Sequence, residues 1–298
     1  GMDHMHELAE AAVWLKLDLA IVTNIGVAHM ELLGSRDAIA FAKLEISQAL
    51  NDSGILVVNS ASDYLKTEEE VRGLASNKGA YRVIMTGRDI SYNRLKNNGS
   101  NGISFYVNNI EFTLPLLGSH VAQDVCLAVA AGLQFGITEE DAARALRNIS
   151  PTERRLKADR VGEVFLIDDS YNASPESMKA GLAALLGIQA KRHIAVLGDM
   201  LELGGAEESG HLSVGECAAE LGVDILIATG DKKEYYFKGV SDSGKTGTST
   251  IGFDSLESVK DMVLQILKPG DAVLVKGSNS TGLSEVAELI RTSGQEVC

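Results

Sequence analysis

The stretch LIDDSYNASPESM, Leu166 to Met178, decides how the second half of the chain is read. Residues 164–167 are an apolar run suited to a buried strand, and Asp168 and Asp169 end it. Ser174 fits a helix N-cap, Pro175 the first helical position and Glu176 the first turn. Met178, Leu182, Leu185 and Leu186 then recur at helical spacing. Two carboxylates, a phenol and an amide (Asp168, Asp169, Tyr171, Asn172) therefore lie between a strand's end and a helix's start. Ligands bind at that edge of open α/β sheets.

Outward from this stretch the pattern repeats. Apolar runs at 194–197, 225–228 and 272–275 read as strands alternating with helices. Each empties into a polar loop: DDSYN, GDMLELGG, TGD and KGSNSTG. The expectation is one parallel sheet with all four loops on one edge. Gly239, Gly244, Lys245 and Thr246 match the phosphate-loop pattern GxxxxGK[ST]. That motif works only between a strand and a helix N-terminus, where amides and the helix dipole face the phosphates. Here a charged, aromatic helical pattern precedes it and a Thr- and Gly-rich strand pattern follows. We read the match as accidental, in a loop at the distal edge of the second domain.

In the first half, residues 6–17 look helical and 19–23 form a short strand ending at Asn24. The loop NIGVAHMELLGS follows. Ser35 then caps a helix whose stripe is Ile39, Ala42, Ile46 and Leu50, with Lys43 beside it. Strands at 55–58 and 83–85 flank a polar helix, again the rhythm of a parallel sheet. Turn signals at Asn98-Gly99 and Asn101-Gly102 precede two period-two runs, Ile103/Phe105/Val107 and Ile110/Phe112/Leu114. These predict an antiparallel hairpin beside the parallel sheet. Gly118-Ser119-His120 leads into an apolar helix, and Thr138 with Asp141 opens another reaching 149. Ser150-Pro151-Thr152 is the expected domain boundary, giving domains 1–150 and 151–298.

Composition narrows the function. A net charge of −14 over 298 residues argues against a nucleic-acid surface. It leaves anionic ligands open, since helix N-termini and local cations bind phosphate on an acidic protein. No run nears ~18 apolar residues, so no membrane span is expected. Cys126, Cys217 and Cys298 lack metal or CxxC spacing, which fits a reducing, cytoplasmic compartment.

The strings DDSYNASPESM and GDMLELGG resemble signatures of the Mur ligases, specifically the branch that adds D-alanyl-D-alanine. NIGVAHMELLGS with AFAKLEI resembles the family's metal and lysine region, GSHVAQD its GxHNxxN stretch, and PTERRL its interdomain Arg segment. The resemblance runs over nearly the whole chain. It implies an incomplete central ATP-binding domain, a mostly parallel sheet plus a hairpin, followed by a Rossmann-like C-terminal α/β domain. It also implies that this is the C-terminal part of a ligase, starting after the uridine-nucleotide domain and phosphate loop and not expected to catalyse the reaction alone.

The implied chemistry is ATP- and Mg²⁺-dependent amide formation in peptidoglycan synthesis. The carboxylate of UDP-N-acetylmuramoyl-tripeptide becomes an acyl phosphate, which the amine of D-alanyl-D-alanine attacks. By the same resemblance His29 and Lys43, the latter carbamylated, are expected at the metal, and Arg155 at the ATP phosphates. Asp169, Tyr171 and Asn172 are expected at the ribose and nucleotide, and Asn24 close to the nucleotide or the metal. Asp124 stands at a family Asn position and accepts a bond from an adenine amino group, which Val121, at the other, cannot. Lys276 and Ser278 are candidates for holding the dipeptide, beside Asn279 where the family tends to carry Arg. Asp199 and Glu202 are expected to brace the strand-end loops. A noncatalytic Mur-ligase-like nucleotide-binding or interaction module stays open beside the ligase reading.

Overall fold

The computed structural model describes residues 2–61, 63–75 and 79–293; Cys298 lies outside them. The chain divides into two compact units. One takes in Gly1–Lys96, Ser104–Leu114 and Ser119–Ile149, the other Asn97–Ile103, Pro115–Gly118 and Ser150–Cys298.

The first unit begins with α1 (Glu7–Ala12), β1 (Leu17–Val22), α2 (Met30–Leu33), α3 (Arg36–Leu44), β2 (Leu50–Asn59), α4 (Glu68–Leu74) and β3 (Arg82–Thr86). The three strands pair in parallel in the order β1-β2-β3. Ile39, Ala42 and Leu44 of α3 pack into one core with Leu56 and Val58 of β2.

Two helix readings are corrected here. The helix expected over 6–17 is only six residues long. Its N-terminal amides find an acceptor far away in sequence, the fully buried carboxylate of Glu45, which takes bonds from His6 N at 3.0 Å and Ala9 N at 3.3 Å. Past Ala12 the chain carries no further buried face: Val13 and Leu15 are exposed, and Trp14 is 88% exposed. The helix begun at Ser35 stops at Leu44 and tightens to a 3₁₀ turn over Glu45–Ala49, so Leu50 opens β2. Ser35 caps it as expected, accepting from Ala38 N.

Next come β4 (Tyr92–Asn97), β5 (Ile103–Val107) and β6 (Ile110–Leu114), a separate three-stranded sheet in that order. The two-residue connection at Asn108 and Asn109 admits only an antiparallel β5–β6 pair. Phe105 and Phe112 stack within it at 5.7 Å between centroids. The sequence reading missed β4 because five of its six residues are exposed and carry no alternating apolar signal. Helices α5 (Val121–Gln134) and α6 (Glu139–Leu146) complete the unit. Thr138 caps α6, which ends three residues short of the expected 149.

The second unit runs β7 (Lys157–Val161), β8 (Val164–Asp169), α7 (Pro175–Leu186), β9 (Arg192–Leu197), α8 (Glu207–Leu221), β10 (Ile225–Thr229), α9 (Lys233–Asp242), β11 (Ser249–Phe253), α10 (Leu256–Ile266), β12 (Asp271–Lys276) and α11 (Ser284–Ser293). Its six-stranded sheet has the order β11-β10-β9-β12-β8-β7. All pairs are parallel except β7–β8, an antiparallel edge that the sequence did not announce. Asp168 and Asp169 are the last residues of β8 rather than residues beyond it. Every residue of β12 is buried, as a strand covered on both faces requires. Ser174 and Ser177 cap α7 reciprocally, with Pro175 in the first turn.

The rejected phosphate-loop match has a structural explanation. Gly239 lies inside α9, and Gly244 follows it in a left-handed turn. A Cβ at Gly239 would overlap the Leu212 carbonyl of α8, and one at Gly215 of α8 would overlap the Tyr236 carbonyl of α9. Gly239 therefore serves the close approach of two helices. Gly→Ala inside a helix ordinarily stabilises by roughly 0.5–1 kcal/mol. Gly239→Ala is expected to do the opposite, costing about 1–3 kcal/mol through overpacking, read as a lowered thermal midpoint. An unchanged or raised midpoint would contradict the crossing.

Candidate functional site

In the second unit the loops after β8, β9, β10 and β12 are tied to one another. Asp199, after β9, accepts from Asp231 N at 2.9 Å and Lys232 N at 3.1 Å in the loop after β10. Its backbone carbonyl accepts from Ser278 N at 3.1 Å in the loop after β12. The Ser278 hydroxyl accepts from Leu201 N at 3.0 Å. A Cβ at Gly230 (φ 107°) would sit 2.5 Å from the Asp199 carboxylate, so that turn needs glycine. Asp199 thus braces the loops, occupying amides before α9. Glu202 is exposed at a left-handed φ of 62°.

The DDSYN loop divides its side chains by depth. Asp168 is buried and faces inward, accepting from the Ser170 hydroxyl at 2.6 Å and from Arg291 of α11 at 3.1 Å. Asp169 pairs with the Lys276 ammonium at 2.6 Å and accepts from Leu156 N at 3.1 Å through its other oxygen. Lys276 is 2% exposed and also donates to the Asn172 carbonyl at 2.9 Å. Burial lowers its pKa from the ordinary lysine value, and the Asp169 charge opposes that shift. Lys276 and Ser278, expected to hold substrate, are instead buried and internally bonded.

Tyr171, Asn172 and Arg155 reach solvent here. The Arg155 guanidinium lies 4.1 Å from the Tyr171 ring centroid, and that of Arg154 lies 5.5 Å from it. Arg154 also donates to Asn279 at 3.0 Å. Both neighbours of Arg155 have left-handed backbone, Arg154 at φ 58° and Leu156 at φ 47°. Such residues cost roughly 1–3 kcal/mol each and persist where surrounding bonds over-determine them. Here those bonds are Leu156 N to Asp169 and Tyr171 N to the Arg154 carbonyl. Nothing in sequence spacing signals either the φ reversal or the Arg154–Asn279 bond.

In the first unit the structure brings Asn24 and Asp124 onto one open pocket of ≈ 530 Å³, with Thr23, Asn59, His120 and Gln123. It sits at the carboxyl ends of β1 and β2, against α5. Desolvation raises the Asp124 carboxyl pKa, with His120 working against that rise. Val121 does not line this pocket. Asn59 was not singled out from the sequence, because a polar residue at a strand end looks like any loop residue until α5 is placed over it; His120 and Gln123 stand in the GSHVAQD stretch, at the cap and first turn of α5, but were given no role there. The Lys43 ammonium donates to the Asn24 carbonyl at 2.9 Å. His29, at a left-handed φ of 65°, lies with its Nδ1 3.4 Å from Asp3.

Two family models match, the Mur ligase middle domain over residues 1–132 and the Mur ligase, glutamate ligase domain over residues 154–279. The chain belongs to the Mur ligase family. It is similar to the UDP-N-acetylmuramoyl-tripeptide--D-alanyl-D-alanine ligase of Bacillus subtilis (strain 168), at 32% identity over 91% of this chain and 58% of that protein. The ligase of that name from Escherichia coli (strain K12) is 28% identical over 99% of this chain and 64% of its own length. The crystal structure of MurF from Acinetobacter baumannii superposes with a TM-score of 0.85 at 26% identity, covering 97% of this chain and 63% of that one. The chain thus spans about three-fifths of the length of these relatives.

The metal expected in this Mur ligase chain does not match the donors present. Mg²⁺ prefers oxygen ligands. Lys43 presents an ammonium, a donor that repels a cation, and it is turned onto a carbonyl. Among the described residues no three His, Cys, Asp or Glu side chains gather where an ion would sit. The side chains as they stand do not fit the ion, and Lys43 is an oxygen donor only after carbamylation. Among the described residues no helix is long and apolar enough to cross a membrane. Cys126 is buried, and burial pushes its thiol up to about 12.

One further group steadies the Mur ligase loop after β9. His211 is fully buried, and its Nε2 accepts from Met200 N at 3.0 Å. Nδ1 therefore carries the proton and donates to the Glu207 carbonyl at 2.7 Å. Burial lowers the His211 pKa from its ordinary 6.5. The unfolded chain then binds a proton that the fold refuses. This contribution to stability is complete above the unfolded pKa of 6.5 and is lost as pH falls towards the lowered folded value. His211→Phe should flatten the stability–pH curve over that interval. At pH 8 it should cost about 1–3 kcal/mol by stranding the Met200 amide. Urea unfolding at a series of pH values measures both effects.

Proposed function

We propose that the protein containing this chain ligates D-alanyl-D-alanine to UDP-N-acetylmuramoyl-tripeptide, driven by ATP, in cytoplasmic peptidoglycan precursor synthesis. Residues 1–150 are assigned as central-domain sequence and 151–298 as the C-terminal domain. The observation that carries this reading is Arg155 laid over Tyr171 at the carboxyl edge of the second sheet, in the loop most like the D-alanyl-D-alanine-adding branch.

The roles follow from exposure and chemistry. A planar guanidinium suits phosphate oxygens, and an aromatic face holds it flat without consuming its N–H donors. Arg155 is assigned to the charge that develops during phosphoryl transfer, where positioned cations contribute most. Tyr171 supports it, and Asn172 is assigned to the nucleotide. In the first unit Asn24 and Asp124 are assigned to adenine, Asp124 as an acceptor for its amino group. Lys43 is assigned to hold the loop at Asn24.

The test uses the whole gene product that contains this chain. Phosphate release should require ATP, the tripeptide nucleotide and D-alanyl-D-alanine together. Arg155→Ala should lower kcat/KM by about 100-fold, the scale of losing one preorganised charge-stabilising group. Release that continues without the nucleotide-linked tripeptide, or an intact protein inert with all three substrates, would sink the ligase reading. The inert result would favour a noncatalytic module.

A further inference from the structure

Asp169 and Lys276 were expected to touch ligands, yet their bonds run inward. Lys276 is 2% exposed and Asp169 is 9% exposed. They are register partners on the adjacent strands β12 and β8, with the ion pair closing the last rung of that ladder. From there a chain of bonds leads outward. Asp169 Oδ2 meets Lys276, and Oδ1 accepts from Leu156 N. Leu156 is one of the two left-handed residues flanking Arg155. On the other side Tyr171 N donates to the Arg154 carbonyl, so the loop that carries Asp169 grips both flanks of Arg155. Lys276 Nζ also fixes the Asn172 carbonyl, just past Tyr171. These bonded groups converge on one exposed guanidinium.

We propose that Lys276 and Asp169 are positioning residues: a buried strut that holds the backbone on either side of Arg155 and so sets its guanidinium over Tyr171. They act through Arg155 and do not themselves touch the reacting groups. The ammonium pairs with Asp169 Oδ2 and aims the carboxylate. The carboxylate in turn holds the Leu156 amide, and with it a turn that an L-residue rarely adopts. A Lys to Met exchange preserves most of the stem's length and removes the charge, so it isolates the strut. The proposal rests on the ligase reading only for its kinetic arm.

Three measurements decide it. The Arg155 Nε–H proton resonance should be shifted upfield by the Tyr171 ring in the native chain and should lose that shift in Tyr171→Leu. Lys276→Met and Asp169→Asn should each abolish the shift and speed amide exchange at Leu156 and Tyr171 at least tenfold. Amides within β9 and β10 should stay protected, which separates local release from unfolding. If Lys276→Met does not fold, the near-isosteric Asp169→Asn carries the test. In the ligation assay Lys276→Met should raise KM for ATP or lower kcat as Arg155→Ala does. The double variant should be no worse than Arg155→Ala alone. An unmoved Arg155 resonance in a folded variant, or kinetic losses that multiply in the double variant, overturns the strut. A gene product with no ligase activity would defeat the ligase reading and leave resonance and exchange to judge the strut.

Discussion

Strand β12 carries a buried charge at each end, and each meets the opposite charge on its register partner. Asp271 faces Arg192 of β9, which grips it through two nitrogens at 2.9 and 2.5 Å, and Lys276 faces Asp169 of β8. Between them lie four apolar residues with no exposed surface. Apolar contact alone tolerates sliding, because one valine packs much like another. Two ion pairs of opposite polarity, each with its β12 member buried, do not. A one-residue slip would leave charges unpaired in the sheet, and stranding one partner of a buried pair costs about 3–5 kcal/mol. The register of the central strands, and so the alignment of the strand-end loops, follows from these two pairs.

The edge built on that register resolves a common conflict. Parallel strands deliver polar loops to one side, where unpaired backbone groups would compete for any ligand. Asp199, Ser278 and His211 absorb most of that capacity by accepting amides from neighbouring loops. Outward on this edge stand a guanidinium on an aromatic ring, the Asn172 amide, and the exposed side chains of Glu202, Asp231 and Asn279.

The sequence made much of this legible, and for identifiable reasons. The four main strands of the second sheet were readable because strands buried on both faces are continuous apolar runs. The caps at Ser35, Thr138 and Ser174 were readable because capping is local chemistry. Strand β4 was hidden by exposure, and α1 was overextended because the apolar residues past Ala12, Val13, Trp14 and Leu15, find no core to bury against. At the site, proximity to the strand ends was foreseen, but depth was not. Lysine beside serine in KGSNSTG looks like a ligand hand. Only the folded ladder puts Lys276 beneath Asp169 and leaves Arg155 outermost. The left-handed backbone on both sides of Arg155 has no sequence signature, since neither residue is Gly, Asn or Asp.

The corner after α1 has a practical side. The chain holds a single tryptophan, and that indole stands almost wholly in water. Its emission is therefore already that of a solvated fluorophore in the native state, and denaturation will scarcely shift the wavelength. Unfolding is better followed by circular dichroism. In return, Trp14 is a native optical probe that stays dark to core rearrangement and brightens or blue-shifts only when something settles on that one corner.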